Sequence, residues 1–124
     1  MDLGIKGKTA IVCASSKGLG FGCAKALAEA GVNLIICARG KETLMEAHEK
    51  LVKYEVNVIP MVLDITSDDG QKEILEAGAE ADILVTNSGG PPPGHWSDWQ
   101  NEDIIAAIKS NMITPINLIK GILI

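Results

Sequence analysis

The stretch from Thr9 to Gly31, TAIVCASSKGLGFGCAKALAEAG, decides how the rest of this 124-residue sequence reads. Its opening apolar run, Ala10-Ile11-Val12-Cys13, is too short for a lone helix and suits a strand buried on both faces. A turn of small residues follows, Ala14-Ser15-Ser16-Lys17-Gly18-Leu19-Gly20. Leu19, Cys23, Ala26, Leu27 and Ala30 then recur at helical spacing as the expected buried face of a helix that stops at Gly31. A turn between a strand's carboxyl end and a helix's start presents unpaired backbone N–H groups and the positive end of the helix dipole. Both favour an anion.

The spacing within the turn narrows the reading. The strict dinucleotide fingerprint G-x-G-x-x-G fits Gly18 and Gly20 but has Cys23 where glycine or alanine belongs. A P-loop fails as well, because Gly7-Lys8-Thr9 precedes the strand and Asp2 stands where the leading glycine should be. The looser spacing G-x-x-x-G-x-G fits, with Ala14 in the first position, and in this turn the chain resembles the short-chain dehydrogenases/reductases. Alanine replaces glycine there at little cost if its φ is negative. Taken alone, the turn also reads as tight strand-to-helix packing with no ligand.

Composition bounds the rest. With 47% hydrophobic and 22% charged residues, the sequence suits one soluble domain with a single core. A net charge of −5 and the lack of a basic-aromatic patch speak against a nucleic-acid binder. No run reaches transmembrane length, and the start, Met1-Asp2-Leu3-Gly4-Ile5-Lys6, lacks the pattern of a signal peptide, so no membrane association and a cytoplasmic location are expected. Cys13, Cys23 and Cys37 have no C-x-x-C spacing and read as small reduced core residues. His48 and His95 are too isolated for a metal site, and His48 is expected on a solvated helix face among Glu46, Glu49 and Lys50.

Along the chain, apolar runs predict strands over 9–13, 32–38, 57–63 and 82–86, with helices over 18–30, 41–54 and about 68–78 between them. Ser67 or Asp68 caps the third helix, and Pro60 requires the third strand to lie at a sheet edge. This alternation implies an α/β fold of the Rossmann type, a doubly wound parallel sheet in three α-β-α layers with strand order 3-2-1-4. In such a sheet the loops after strands one and four meet at the point where the order reverses, which is where ligands bind.

The loop after strand four reads Asn87-Ser88-Gly89-Gly90-Pro91-Pro92-Pro93-Gly94. Its glycines permit close backbone approach and its prolines stiffen the exit; a plain proline-rich surface turn is the alternative. Asn87-Ser88-Gly89 is similar to the family's Asn-Ala-Gly element, in which the asparagine steadies the sheet and the backbone lines the cofactor. Beyond it, Ser97 and Gln100 have capping-box spacing, and Ile104, Ile105, Ile108, Met112, Ile116, Ile119 and Leu123 recur on one helical face. Trp96 and Trp99 are expected to pack against that helix or, with His95, to border a substrate entrance. Pro115 interrupts the helix and leaves the carbonyl of Asn111, four residues earlier, without its donor. Asn111 also stands where the family has the helix asparagine whose carbonyl holds a water in the proton relay. A purely structural kink is the alternative.

The end of strand two discriminates between nicotinamide cofactors. An acidic residue there accepts hydrogen bonds from a ribose 2′-hydroxyl, whereas arginine pairs with a 2′-phosphate. This chain reads Cys37-Ala38-Arg39-Gly40, and Lys17 adds a second cation ahead of Gly18, so NADP(H) is expected over NAD(H). The resemblance further implies that Ser16 reaches the adenosine ribose or its phosphate, that Leu19 lines the pyrophosphate turn, and that Asp64 and Ile65 lie against the adenine. Asp64 also reads as a turn-starting aspartate before Thr66.

By the same resemblance the chemistry is hydride transfer between nicotinamide and a small carbonyl or alcohol substrate, with a serine and a Tyr-x-x-x-Lys pair handling the proton. The one tyrosine, Tyr54, has Val58 four residues on and does not fit. The match is to about the first half of a family member, similar in pattern to the 3-oxoacyl-carrier-protein reductase branch. Residues 1–124 are therefore expected to be the nucleotide-binding part of a longer single-domain enzyme, a homodimer or homotetramer when full length, and inactive as a segment. Ile116, Ile119 and Leu123 are expected at its surface. A catalytically inactive NADP(H)-binding regulator or sensor is the alternative; a methyltransferase is disfavoured because its second strand would end in an acid.

Overall fold

Four strands formed by the apolar runs lie in parallel, in the order β3-β2-β1-β4. They are β1 (Thr9–Val12), β2 (Asn33–Ala38), β3 (Val58–Val62) and β4 (Ile83–Val85). The helices α1 (Gly18–Glu29), α2 (Lys41–Val52) and α3 (Asp68–Ala77) form the crossovers. After β4 come a short 3-10 turn (Trp96–Asp98), α4 (Asn101–Ile108), a widened π-helical turn (Lys109–Ile113) and α5 (Thr114–Leu123). This computed structural model describes residues 2–89 and 93–123; the expected stiffening of the second loop by residues 90–92 falls outside them.

The doubly wound sheet and its strand order are those the sequence predicts, and the strands and first two helices end one or two residues inside their expected limits. Register pairs Val12 with Ile36 and Val85, so β1 is central, and Ala10, Ile11 and Val12 are completely buried. Pro60 faces Ile36 on the edge strand β3, where a missing N–H disrupts no second ladder.

Side chains alternate between two cores. Ala10, Val12, Leu34 and Ile36 pack with Ala24, Ala28, Leu44 and Leu51 of α1 and α2. Ile11, Cys13, Ile35 and Cys37 pack with Ile74 and Leu118 of α3 and α5. Each fully buried Leu or Ile contributes about 1.5–3 kcal/mol of transfer free energy.

Several local expectations are corrected. The buried face of α1 is Gly20, Ala24 and Ala28, while Leu19, Cys23 and Ala26 are exposed. The smallest side chains face the sheet because α1 approaches it closely, and the larger apolar ones turn outward. Cys13 and Cys37 are buried free thiols, but Cys23 is exposed. His48 is half-buried, with Nε2 3.2 Å from the Val58 carbonyl at the start of β3. A ring at that position reaches an edge strand whose outer side has no ladder partner, which offsets the solvation it gives up.

The helix after the second loop starts later than its spacing suggests. Ser97 hydrogen-bonds His95, and the capping box is formed by Gln100, the N-cap of α4, with Asp103 in its first turn. In α5 the buried residues are Thr114 and Leu118, and Gly121 lies against Leu75 of α3. The isoleucine stripe faces outward: Ile104, Ile105, Ile108, Met112, Ile116, Ile119 and Leu123 are all exposed. For Ile116, Ile119 and Leu123 this is the expected surface, and the rest of the row lies on it too. No described helix is long and apolar enough to cross a membrane.

Candidate nucleotide site

The turn after β1 is held from below by backbone. Ser15 is fully buried, its N–H donates to the Cys37 carbonyl at 3.0 Å, and its hydroxyl donates to the Val12 carbonyl at 2.9 Å. Ala14 adopts a φ of +48°, so the condition for its low cost is not met; a left-handed alanine costs about 1–2 kcal/mol. Gly18 has φ +63°, where its lack of a Cβ matters. Gly20 is required for a different reason: a Cβ there would collide with the Ala14 carbonyl and lie 2.7 Å from Asn87 Nδ2.

That close approach brings the two loops together. Asn87 Nδ2 donates to the carbonyls of Ala14 (3.2 Å) and Cys13 (3.4 Å), fastening the loop after β4 to the turn after β1. Along the open rim Ser16 is half-buried, while Lys17, Gly18 and Leu19 are exposed. Lys17 is the N-cap residue of α1 without a side-chain cap, and no acidic residue occupies the helix's first turn. The positive end of α1 therefore faces the rim without a carboxylate to neutralise it. Ser88 is half-buried and Gly89 has open space on its Cα side.

Arg39 follows β2 directly and is exposed. Asp64 follows β3, and its Oδ1 accepts from the Thr66 hydroxyl (2.7 Å) and N–H (2.9 Å), the geometry of a turn-starting aspartate. These two hydrogen bonds, with smaller contributions from the charges of Arg39 and Lys109, hold its carboxyl below the ordinary carboxylate range. Ile65 is buried in the second core, and its carbonyl accepts from Gln71 Nε2 at 3.1 Å. Only its backbone is left to face a ligand.

Beneath the site, Cys13 and Cys37 sit side by side, one step beyond the register pair Val12–Ile36. A hydrogen bond between the two thiols, together with burial, pushes the Cys13 thiol far above its ordinary range. The same hydrogen bond draws the Cys37 thiol downward, and the burial of both sulfurs closes them to reagents at this site. Among the described residues no group of His, Cys, Asp and Glu is arranged to hold a metal.

The short chain dehydrogenase family profile matches residues 8–123, nearly the whole chain. The chain belongs to the short-chain dehydrogenase family. It is 30% identical over 120 residues to YvaG, an uncharacterized oxidoreductase of Bacillus subtilis, covering 95% of this chain and 46% of that protein. It is 34% identical over 90 residues to the rhamnolipids biosynthesis 3-oxoacyl-[acyl-carrier-protein] reductase of Pseudomonas aeruginosa, covering 68% of this chain and 34% of the relative. The L-sorbose reductase of Gluconobacter frateurii, solved with NADPH and L-sorbose, superposes with a TM-score of 0.91 at 28% identity, over 99% of this chain and 49% of that one. The chain thus spans less than half to about half the length of these relatives.

In this short-chain dehydrogenase the structure brings Ala14, Gly20 and Asn87 together; Ser16, Lys17, Gly18 and Leu19 lie along the same turn, Ser88 and Gly89 follow Asn87, and the Arg39 charge reaches Asp64 after the next strand. Asn111 lies in the π-helical turn, exposed, its Nδ2 donating to the Ala107 carbonyl at 3.1 Å. Trp99 and Asn111 line an apolar groove of about 330 Å³ along α4, whereas Trp96 is 74% exposed against the His95 ring, so the two tryptophans do not act as a pair. Tyr54 follows α2 and precedes β3, at the opposite end of the strands from the two loops. Two contributions were not foreseen: the Lys109 charge acting on Asp64, and a Ser88 hydrogen bond to Ser110. Neither has a motif, because each pairs residues from distant parts of the chain through a turn whose register a helical pattern does not display.

Proposed function

We propose that this chain is the cofactor-binding part of an NADP(H)-dependent oxidoreductase that moves a hydride between the nicotinamide and a carbonyl or alcohol carbon of a small molecule. The observation that carries the reading is the Asn87 amide spanning two glycine-bearing loops at the point where the strand order reverses. The backbone of 14–20 would hold the pyrophosphate at the α1 N-terminus, with Ser16 toward the adenosine ribose. Asp64 and the Ile65 backbone would face the adenine, and 87–89 the nicotinamide half. Arg39 and Lys17, with Ala38 where an acid would stand, favour a ribose 2′-phosphate, hence NADP(H) over NAD(H). The NADPH complex of the sorbose reductase supports the same choice.

When bound, the cofactor supplies the hydride. The chain's own part is to bind and orient it, and to hold the Asn111 carbonyl where a relay water would sit. A Tyr-x-x-x-Lys pair is absent from these residues, so proton transfer falls to groups outside this segment. The same reading carries a cytoplasmic location and assembly into homodimers or homotetramers through the exposed isoleucine face. Calorimetric titration with NADPH, NADH and S-adenosylmethionine tests it. We expect NADPH to bind about ten- to a hundredfold more tightly than NADH, the worth of one charge-assisted contact, and the methyl donor not at all. NADH binding as tightly as NADPH, or binding of S-adenosylmethionine alone, would overturn it.

A further inference from the structure

The π-helical turn and the loop after β4 meet through one hydrogen bond whose origin lies in Pro115. In the widened turn the bonds run to the carbonyl five residues back, and the Thr114 N–H donates to Lys109. The next step of that register pairs residue 115 with Ser110, but proline has no N–H. The carbonyl deprived of its donor in this register is thus Ser110's, one residue before the position an α-helical count gives. Ser88 Oγ lies 3.0 Å from it, in a part-buried setting where an unpaired carbonyl would be unfavourable.

We infer that Ser88 is a positioning residue for Asn111. Its hydroxyl supplies the donor that Pro115 lacks and fixes the peptide joining Ser110 to Asn111. The neighbouring Asn87 binds the same loop to the turn after β1, so one short segment sets the spacing between the two glycine-bearing loops and the widened turn. Alanine, which the family's Asn-Ala-Gly element carries at this place, makes no such bond. The link itself does not depend on a ligand; its consequence for Asn111 rests on the proposed nucleotide site.

Amide hydrogen exchange of the chain, with and without NADPH, tests both parts. In the Pro115 background Ser88→Ala should speed exchange at Ile113 and Thr114 about five- to tenfold, the worth of one hydrogen bond, and Ser88→Thr should leave it unchanged. In a Pro115→Ala background, where residue 115 regains its N–H, Ser88→Ala should change exchange by less than about twofold. Equal effects in both backgrounds, or none in either, would overturn the inference. NADPH should add protection over 109–114 in the wild type and in Ser88→Thr but not in Ser88→Ala; equal added protection in all three would refute the link to Asn111. If NADPH protects no part of the wild type, the nucleotide reading fails, while the ligand-free comparison still decides the role of Ser88.

Discussion

Replacing Gly20 by alanine tests the mechanical basis of the site. A Cβ at this position meets the Ala14 carbonyl oxygen inside contact distance, the Ala14 carbonyl carbon at 2.9 Å and Asn87 Nδ2 at 2.7 Å. None of these can yield cheaply, since two belong to the backbone of a left-handed residue and the third donates the bond that joins the loops. Overpacking of this kind costs about 1–3 kcal/mol and loss of the Asn87 bond about 1 kcal/mol, against a helix-propensity gain of about 1 kcal/mol. Gly20→Ala should therefore destabilise by about 1–3 kcal/mol in urea unfolding and weaken NADPH binding at least tenfold by fluorescence titration. Gly22→Ala, in the same helix but with no atom within 4 Å, supplies the control and should stabilise by about 0.5–1 kcal/mol. If the two substitutions have the same effect, the close approach of α1 to the loops does not organise the site.

Three further expectations follow from individual residues. Ala14→Gly relieves a left-handed alanine and should be neutral or stabilising by up to about 1 kcal/mol in urea unfolding, where alanine to glycine elsewhere destabilises. A thiol reagent should modify one cysteine rapidly in the native state, Cys23, with Cys13 and Cys37 reacting only on unfolding; fast reaction of more than one would contradict their burial. The Asp64 carboxyl is lowered in the folded state, so it stabilises above its ordinary value of 3.8 and loses that contribution as pH falls through the folded value. Asp64→Asn should melt below the wild type at pH 7, with the difference fading below pH 3.8; a gap that persists at lower pH would remove the charge from the explanation.

The sheet was legible because continuous apolar runs have few alternatives. Val32 to Ala38 and the small-residue turn leave little choice but a buried parallel strand and a tight connection, and Pro60 marked the edge strand unaided. Which face of each helix turned inward was less legible, since hydrophobicity and fit disagree. In α1 the sheet comes so near that Gly20, Ala24 and Ala28 displace Leu19 and Cys23 from the interior. In α4 and α5 apolar residues surround much of the helix, and contact with α3 selects Thr114 and Leu118 over the longer isoleucine row. The chemistry at Pro115 was visible as a lost donor, but its consequence moved by one residue because the turn widened, a register change that composition does not encode. The cost of Ala14 hung on the sign of its φ, +48° in the structure, which residue type and spacing alone do not give.

The most direct measurement is the ratio of NADPH to NADH affinity in the wild type and in Arg39→Asp combined with Lys17→Ala. The first change places a carboxylate where a 2′-phosphate would lie, and the second removes the neighbouring cation from the rim. The ratio should fall by a factor of about a hundred or more and invert in favour of NADH, with only a small loss of thermal stability, because both side chains are exposed and Arg39 gives up no more than its minor charge effect on Asp64. An unchanged ratio would show that neither side chain reads the cofactor, and would contradict the proposed NADP(H) site.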